Sequence, residues 1–411
     1  MRLLYNLIII IIIIFSPIII FYRILKKKEH PKRFLEKFSL LKISKGSGKL
    51  IWFHCSSVGE FLSIVPLLEK LEKQKNIKKI LLTTSTLSSS KIFTKFRLKK
   101  TIHQFYPIDN PLIIKRFLDY WKPSVAFFVE SEIWPEMLKS LKSKKIKIYL
   151  LNARLSKKSF KKWKKIRKVG IEIFNYFDYI FPQNKETLIY LKFFKVKKLK
   201  ILGNLKFCEV KKKKKDKLLS KIFNNRKILC AASTHYNEEE LISNVHLKLK
   251  KRINNLLTII IPRHIERTKE ILENLKNKNL KYVCHSDKRK LKDNIDIYLV
   301  DTYGESKLFY KISPVVFLGG SLVPKGGQNP LEPIRFGCNV VHGKHTFNFN
   351  EVYNMLDKES LSFKAKTYTQ LNKIIFNLLI KKNDNKNKII KFKKIGKNIL
   401  LKNFQEIKSL I

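Results

Sequence analysis

From residue 48 onward the chain alternates between two patterns. Short unbroken apolar runs give way to stretches in which Leu, Ile and Val recur at helical spacing. KLIWFHC predicts a strand, and residues 61–74 a helix. KKILLTTST predicts a second strand, with a helix from Ser88. TIHQFYPI reads as a short strand, 110–120 as a helix, SVAFFVES as a buried strand, 134–143 as a helix and KIKIYLLNA as a strand. Strands that are apolar throughout suit a sheet covered on both faces, and their alternation with helices predicts parallel βαβ units. Residues 209–217, EVKKKKKDK, form a solvated charge run suited to a linker. Beyond it the alternation restarts. RKILCAAST, LLTIIIPRH, KYVCHS, DIYLVDT, PVVFLGGS and CNVVHG predict strands, with helices over 238–251 and 266–277. The chain thus reads as two similar-sized α/β halves, 25–208 and 209–411, joined near 205–220. The stretch 375–411 is Lys-rich with a helical pattern, and is a candidate to cross back to the first half. In open parallel sheets ligands bind beyond the carboxyl ends of the strands. With two such sheets the default site lies between them.

The N-terminus breaks this pattern. Residues 3–22, LLYNLIIIIIIIFSPIIIFY, carry no charge. Twenty residues of helix span about 30 Å, enough to cross a hydrocarbon core. A cleaved signal peptide would want a basic n-region and a small-residue cleavage site. Only Arg2 precedes the run, and no such site follows it. A buried core helix is also a poor match for Ile repeated without polar interruption. Arg23, Lys26, Lys27 and Lys28 follow, then Pro31, Lys32 and Arg33. By the positive-inside rule this cluster stays in the cytoplasm. The expectation is a single-pass anchor over 1–24, N-terminus out, with the rest cytoplasmic and the basic flank facing anionic lipid headgroups.

Composition refines this picture. At 411 residues the chain is too long for one ordinary core, and 44% hydrophobic residues suffice for two. A formal charge of +55 invites nucleic acid or an anionic membrane as partner. Lys, Ile and Asn are abundant even in segments without motifs, so compositional drift accounts for most of that charge. No RNA-recognition signature, zinc-ligand spacing or aromatic stacking platform supports nucleic acid. Five scattered cysteines (55, 208, 230, 284, 338) without a CxxC pair read as free thiols in a reducing compartment.

Polar residues gather where the strands end. In the first half these are Ser56-Ser57-Val58-Gly59-Glu60, Thr83-Thr84-Ser85-Thr86, Glu130-Ser131-Glu132 and Asn152-Ala153-Arg154. In the second they are Ala232-Ser233-Thr234-His235, Pro262-Arg263-His264, the run from Asp301 to Glu305 and Gly319-Gly320-Ser321. Glu60 suits either a first-turn residue favouring the helix dipole or a catalytic base at a strand end. Glu130 and Glu132 lie two apart, and Pro135 ends their element. Glu132 suits orienting a base or a substrate hydroxyl; Trp134 suits packing. Within GGSLVPKGGQNPLEP (319–333) the paired glycines leave backbone N–H groups open to an anion. Asn329 and Pro330 predict an N-cap and N1 of a helix whose start would hold that anion. Glu332 in its first turn suits ribose hydroxyls; the alternative is two tight turns and a capped helix. Arg263 suits phosphate or carboxylate, or else a surface ion pair with Glu266. The hydroxyls of Ser233 and Thr234 equally suit capping the helix that carries Glu238, with His235 a neighbour. No HExxH or DxD pair suggests a metal, and no G-x-S-x-G elbow suggests a serine hydrolase.

These motifs in this order resemble the 3-deoxy-D-manno-oct-2-ulosonic acid (Kdo) transferases acting on lipid A. The matching segments are WFHCSSVGEF, LLTTST, YPIDNP, FVESEIWPEML, LLNARLSKKS, PQNKET, ILGNLKF, AASTHYNEEEL, IPRHIER, DTYGESKLFY, FLGGSLVPKGGQNPLEP and HGKHTFNFNE, running from about 30 to 360. The resemblance implies a glycosyltransferase type B fold, two Rossmann-like domains facing across a cleft: an acceptor domain over 25–208 and a donor domain over 209–411. It implies CMP-Kdo as donor, the tetraacyl lipid A precursor as acceptor, and inverting transfer at the cytoplasmic face of the inner membrane, without metal or other cofactor. Glu60 maps onto the family's general base, with Ser56, Ser57 and Gly59 giving close access. Glu130 and Glu132 map onto its E-x-E motif, and Arg154 falls on the acceptor side. Donor contacts map onto Ser233, Thr234, His235, Arg263, His264, Gly319, Gly320, Ser321, Asn329 and Glu332. Departures are Gln328 for the usual His, Cys208 for Asp and Cys55 for Ala. A different activated sugar on the same fold, or a noncatalytic membrane-bound nucleotide- or lipid-binding protein, are the rival readings.

Overall fold

A computed structural model describes residues 2–41, 43–44, 48–208, 223, 226–287, 294–381 and 385–411. The charge run 209–217 lies outside the described residues. The chain divides into two compact units, Met1–Val210 with Ile395–Ile411, and Lys211–Lys394.

In the first unit, β1 (Leu50–His54), β2 (Lys79–Thr84), β3 (Thr101–Phe105), β4 (Val125–Val129), β5 (Lys147–Ala153) and β6 (Tyr179–Pro182) form one sheet. Its order is β3-β2-β1-β4-β5-β6, and every pairing is parallel. The chain reverses direction across the sheet between β1 and β4, the switch point where such sheets open a crevice at the strands' carboxyl ends. Five helices matter here: α1 (Arg2–Leu25), α2 (Val58–Glu72), α3 (Leu87–Phe93), α4 (Pro111–Trp121) and α5 (Pro135–Ser143). Asn110 caps α4 through the Leu112 and Ile113 N–H groups, with Pro111 inside its first turn. The buried face of α4 sets Phe117 5.0 Å from Trp52, which also meets Phe128 edge-on at 5.4 Å. Burying such rings contributes roughly 2–3 kcal/mol each, so the core clamps the strand that leads into the site.

In the second unit, β7 (Lys227–Thr234), β8 (Leu256–Pro262), β9 (Tyr282–Cys284), β10 (Ile297–Leu299), β11 (Val315–Leu318), β12 (Asn339–His342) and β13 (Ser362–Lys364) form a second parallel sheet, in order β13-β12-β11-β7-β8-β10-β9. Its switch point lies between β7 and β11. Leu229, Ile260, Phe317 and Val341 pack with Leu249 and Ile375 into the core on one face.

The alternation predicts all of these strands except β6 and β13. The end of the second half needs correction. The C-terminal helix Asn385–Leu410 returns to the first unit from Ile395. There Ile407 is buried, the Asn403 side-chain amide donates to the Leu202 carbonyl at 3.4 Å, and Gly396 lies against the Phe207 backbone. A Cβ at Gly396 would come within 2.5 Å of the Phe207 carbonyl oxygen. The second domain therefore stops at Lys394 rather than 411.

The N-terminal run is helical, as α1. Among the described residues, no helix is long and apolar enough to cross a membrane. A spanning segment over 3–22 is thus unsupported. Ile14, Ile18, Phe21 and Leu25 are each more than 60% exposed. The Tyr5 hydroxyl donates to the Asp109 carboxylate at 2.6 Å. The chain leaves α1 through Lys27, whose φ of 52° turns it into the left-handed region.

Candidate functional site

The first cluster lies just past β1 and β4. Ser57 caps α2, its hydroxyl accepting the Glu60 N–H at 3.3 Å. Glu60 reciprocates, its Oε2 accepting from the Ser56 N–H at 2.6 Å and the Ser57 N–H at 3.3 Å. This is a capping box, so the helix-start reading of the motif holds. The other carboxylate oxygen has no hydrogen-bond partner among the described residues. Burial, and after it the charges of Glu132 and Glu130, push the Glu60 carboxyl up to about 7, against the pull of the Ser56 and Ser57 N–H groups. One oxygen holds the helix while the other stays open, on a carboxyl titrating near neutrality. Gly59 is exposed beside it, and a Cβ there would meet only the Ser57 hydroxyl, at 4.0 Å. Glycine is not forced there by packing; its missing side chain leaves the approach clear.

A buried relay supports Glu132. Its carboxylate accepts from His54 Nε2 at 3.0 Å and from the Trp134 indole at 2.9 Å. With the proton on Nε2, His54 Nδ1 accepts from the Thr83 hydroxyl at 3.0 Å, and that hydroxyl accepts from the Trp52 indole at 2.9 Å. The His54 ring stacks on Tyr106, with centroids 3.8 Å apart. Trp134 packs against Tyr106 while orienting Glu132.

Glu130 turns the other way. It is buried, with φ of 60°, and pairs with Lys206 at 2.7 Å. The Asn152 side chain, on a residue with φ of 51°, reaches it at 3.5 Å. Left-handed backbone at non-glycine residues is strained, and such strain gathers at functional sites. Glu130 and Glu132 therefore do not offer a shared face to substrate: Glu130 is committed inward, and Glu132 lies at the edge. Arg154 joins the same turn through its backbone, its N–H donating to the Glu130 carbonyl at 3.2 Å and its carbonyl accepting from the Ser131 hydroxyl at 2.8 Å.

The second cluster lies past β7, β8 and β11. Its organiser is Glu238, in the first turn of the helix Glu238–Lys250. Its carboxylate accepts four backbone N–H groups: His235 at 3.0 Å, Gly320 at 2.6 Å, Ser321 at 3.1 Å and Leu322 at 3.0 Å. The Gly319 N–H goes to the Ala232 carbonyl, and the Gly327 N–H to the Gly320 carbonyl. Of the glycine amides expected to be open to an anion, Gly320 is thus occupied by a protein carboxylate, and Gly319 and Gly327 by backbone carbonyls. Gly319 serves a close approach instead, since a Cβ would sit 2.3 Å from the Ser233 carbonyl oxygen. Ser233 itself has φ of 55°. Ser321 is buried, its hydroxyl accepting the Gly343 N–H at 2.9 Å.

The helix after this loop also departs from expectation. It runs only Leu331–Arg335, with Pro330 rather than Asn329 at the N-cap position. The Asn329 side chain still accepts the Leu331 N–H at 3.1 Å. Five residues sum too few peptide dipoles for the anion site the sequence suggests. Glu332 pairs with Lys307 at 3.1 Å.

What remains open is cationic. Arg263 and His264 are exposed, and Arg263 forms no ion pair with a described residue. Glu266 instead accepts from the Tyr303 hydroxyl at 2.8 Å. The rings of His235 and His264 lie 5.9 Å apart, and Gln328 Nε2 is 3.4 Å from His235 Nε2. Burial, then the charges of His264, Lys325 and Arg263, hold His235 below its ordinary range, so it is neutral at pH 7. The Thr234 hydroxyl is buried without a partner among the described residues. Among the described residues, no group of three or more His, Cys, Asp or Glu is placed to hold a metal. All five cysteines are buried and none forms a disulfide with a described residue.

Residue reasoning missed three parts of these clusters. Glu238 shows in the sequence only as an acid in a helix first turn. Lys206 shows only as one of many lysines. His54 shows only as a histidine at a strand end.

Residues 32–209 match a family described as 3-deoxy-D-manno-octulosonic-acid transferase (kdotransferase). A 3-deoxy-D-manno-octulosonic acid transferase of Rickettsia bellii is 35% identical over 324 residues, 78% of this chain and 77% of that one. The protein of the same description from Rickettsia felis is 36% identical over 297 residues; the match covers 72% of this chain but 64% of that relative, under two thirds of its length. The solved structure of UDP-GlcNAc 2-epimerase from Neisseria meningitidis, bound to UDP-GlcNAc, aligns with a TM-score of 0.55 over 86% of this chain and all of that one. At 13% identity it shares the fold alone.

Proposed function

The chain belongs to the family of 3-deoxy-D-manno-octulosonic acid (Kdo) transferases, and from that premise we propose an inverting transfer of Kdo from CMP-Kdo to a phosphorylated tetraacyl lipid A precursor. The observation that carries this reading is Glu60: a carboxyl titrating near neutrality, with one oxygen open, at the switch point of the first sheet. The best base has a pKa close to the working pH. In the proposed step an acceptor hydroxyl loses its proton to the open oxygen of Glu60. The hydroxyl oxygen forms a bond to the Kdo anomeric carbon from the face opposite CMP. The bond from that carbon to the phosphate oxygen breaks, and CMP leaves with the electron pair. Positive charge gathers on the sugar in the transition state, which suits the nearby Glu132.

On the donor side, the occupied amides of 320–322 leave Arg263 to meet the charge growing on CMP. Neutral His235 is suited to a hydrogen bond with the donor rather than to an ion pair. The same reading puts the enzyme at the cytoplasmic face of an inner membrane, held by α1. The exposed Ile and Phe side chains of α1 and the cations at its C-terminal end support that seat.

Glu60→Gln and Glu60→Ala are expected to lower kcat by about 100-fold or more. Near-normal turnover in either would refute the role. Arg263→Ala is expected to weaken CMP-Kdo binding by about tenfold. CMP, and not UDP, should compete with the donor; unchanged donor affinity in the variant, or competition by UDP alone, would count against this side of the account.

A further inference from the structure

Trp52 and His54 on β1 and Thr83 on β2 are fully buried, and His54 and Thr83 are direct partners in the parallel register. Their hydrogen bonds run in one direction. An indole N–H donates and cannot accept, so the Thr83 hydroxyl oxygen accepts from Trp52 at 2.9 Å. The Thr83 hydroxyl proton then has one close partner, His54 Nδ1 at 3.0 Å; the Phe53 carbonyl is 3.5 Å away. The Thr83 carbonyl, 3.2 Å from Nδ1, already accepts the Cys55 N–H at 3.1 Å. Nδ1 is therefore the accepting nitrogen, and the ring proton sits on Nε2, 3.0 Å from the Glu132 carboxylate. Trp134 closes the chain from the far side, a second donor-only indole at 2.9 Å.

The carboxylate at the end of this chain is a neighbour of the base. Glu132 and Glu130 face Glu60 from the turn after β4, and the Ser56 and Ser57 N–H groups face it from its own turn. Glu130 is offset by Lys206, and Arg154 shares its turn through the backbone. Glu132 is the larger of the two neighbouring charges. The Cys55 thiol and the Tyr106 hydroxyl also stand here. Burial first, and then the surrounding carboxylates, push both well above their ordinary ranges, so neither carries charge.

We propose that His54 is a positioning residue for the transfer: a neutral imidazole, locked in its Nε2–H form by Trp52 and Thr83, that holds Glu132 as the ionised partner of Glu60. Its kinetic consequence rests on the function proposed above; the tautomer does not. A hydrogen bond donated to a carboxylate favours the charged form. Without it, Glu132 would take up the proton that Glu60 otherwise holds. Glu60 would then be free as a base at lower pH, in a site that offers less negative charge to the transition state.

Two substitutions separate this role from packing. Gln carries its amide nitrogen about where the imidazole has Nε2, and Asn about where it has Nδ1. His54→Gln should leave the acid limb of kcat/KM in place, with kcat close to wild type. His54→Asn should move that limb down, as Glu132→Gln does, and lower kcat by about tenfold. It should cause no further shift in the Glu132→Gln background. A histidine that only fills the core predicts the same limb in all of these proteins, whatever their melting temperatures. In parallel, 15N-histidine NMR of the full-length protein, with the His54 signal identified by its loss in His54→Gln, should show a protonated Nε2 and a bare Nδ1 at pH 7. A proton on Nδ1, or a limb unmoved in His54→Asn, overturns the proposal. The wild-type NMR signal still decides the tautomer if His54→Asn does not fold. Folded wild type that shows this tautomer but makes no product overturns the function proposed above, not the lock on His54.

Discussion

Glu60 carries two duties at once. Its Oε2 closes a capping box, and its other oxygen is open. The sequence shows the capping box, because S-x-x-E spacing is local. It does not show the raised carboxyl, because that depends first on burial in the folded unit and then on Glu132 and Glu130, some 70 residues away and brought close by the parallel pairing of β1 with β4. The raised value has a definite sign. The proton is held more tightly in the folded enzyme than in the unfolded chain, so this group favours folding below the ordinary Glu range and loses that contribution as pH rises through about 7. Activity runs the other way, because the base must be unprotonated. The kcat/KM profile should therefore rise with pH through an acid limb near 7. Glu132→Gln removes the larger neighbouring charge, and should move that limb downward as well as lowering the rate. A limb that stays in place would show that Glu132 does not act on Glu60.

Elements explain what single residues do not. Reading the glycine-rich loop as an open anion cradle follows from its glycines, but the loop is built around a carboxylate from the helix after β7. Glu238 and Gly320 lie 82 apart in the sequence, and nothing local links them. Gly319 is instead required because β7 and β11 come so close where they end. Removing the Glu238 carboxylate would strand four N–H groups, each costing about 1–3 kcal/mol if left unpaired and buried. Glu238→Ala should lower the melting temperature and raise the KM for CMP-Kdo, with kcat less affected. Glu238→Gln keeps one acceptor oxygen and should fall between. If both CMP affinity and melting match wild type, the loop does not depend on this residue. Strands β1 to β5 and β7 to β12 are legible because continuous apolar runs between turn residues encode strands buried on both faces. YIFP, which becomes β6, runs on from the aromatic-rich end of the preceding helix, and SFK, which becomes β13, holds a single apolar residue, so neither stands out as a bounded apolar run.

At the scale of the whole molecule, the sequence shows two α/β halves but misplaces the end of the second. The helical, Lys-rich stretch 375–411 is legible as a candidate to cross back, and from Ile395 it does so, with Gly396, Ile399, Asn403 and Ile407 marking the face that packs on the first unit. The charge of +55 is for the most part spread along the chain, but at the end of α1 it meets exposed apolar side chains, which supports the membrane attachment proposed above. Protein lacking residues 1–24 should still bind anionic vesicles through the remaining basic flank, and salt should release it, since screening shortens the reach of exposed charges to about 10 Å at 0.1 M. Binding that is insensitive to salt would contradict this.

The central claim is that Glu60 drives transfer of Kdo to a lipid A precursor, and mass spectrometry of the lipid tests it most directly. Wild type and Glu60→Gln protein would each be given the precursor, CTP, Kdo and a CMP-Kdo synthetase that makes the short-lived donor in place. The account predicts a lipid heavier by one or more Kdo units with wild type, and almost none with the variant. An unchanged lipid from folded wild-type protein, with the synthetase active, or equal product from both proteins, would contradict it.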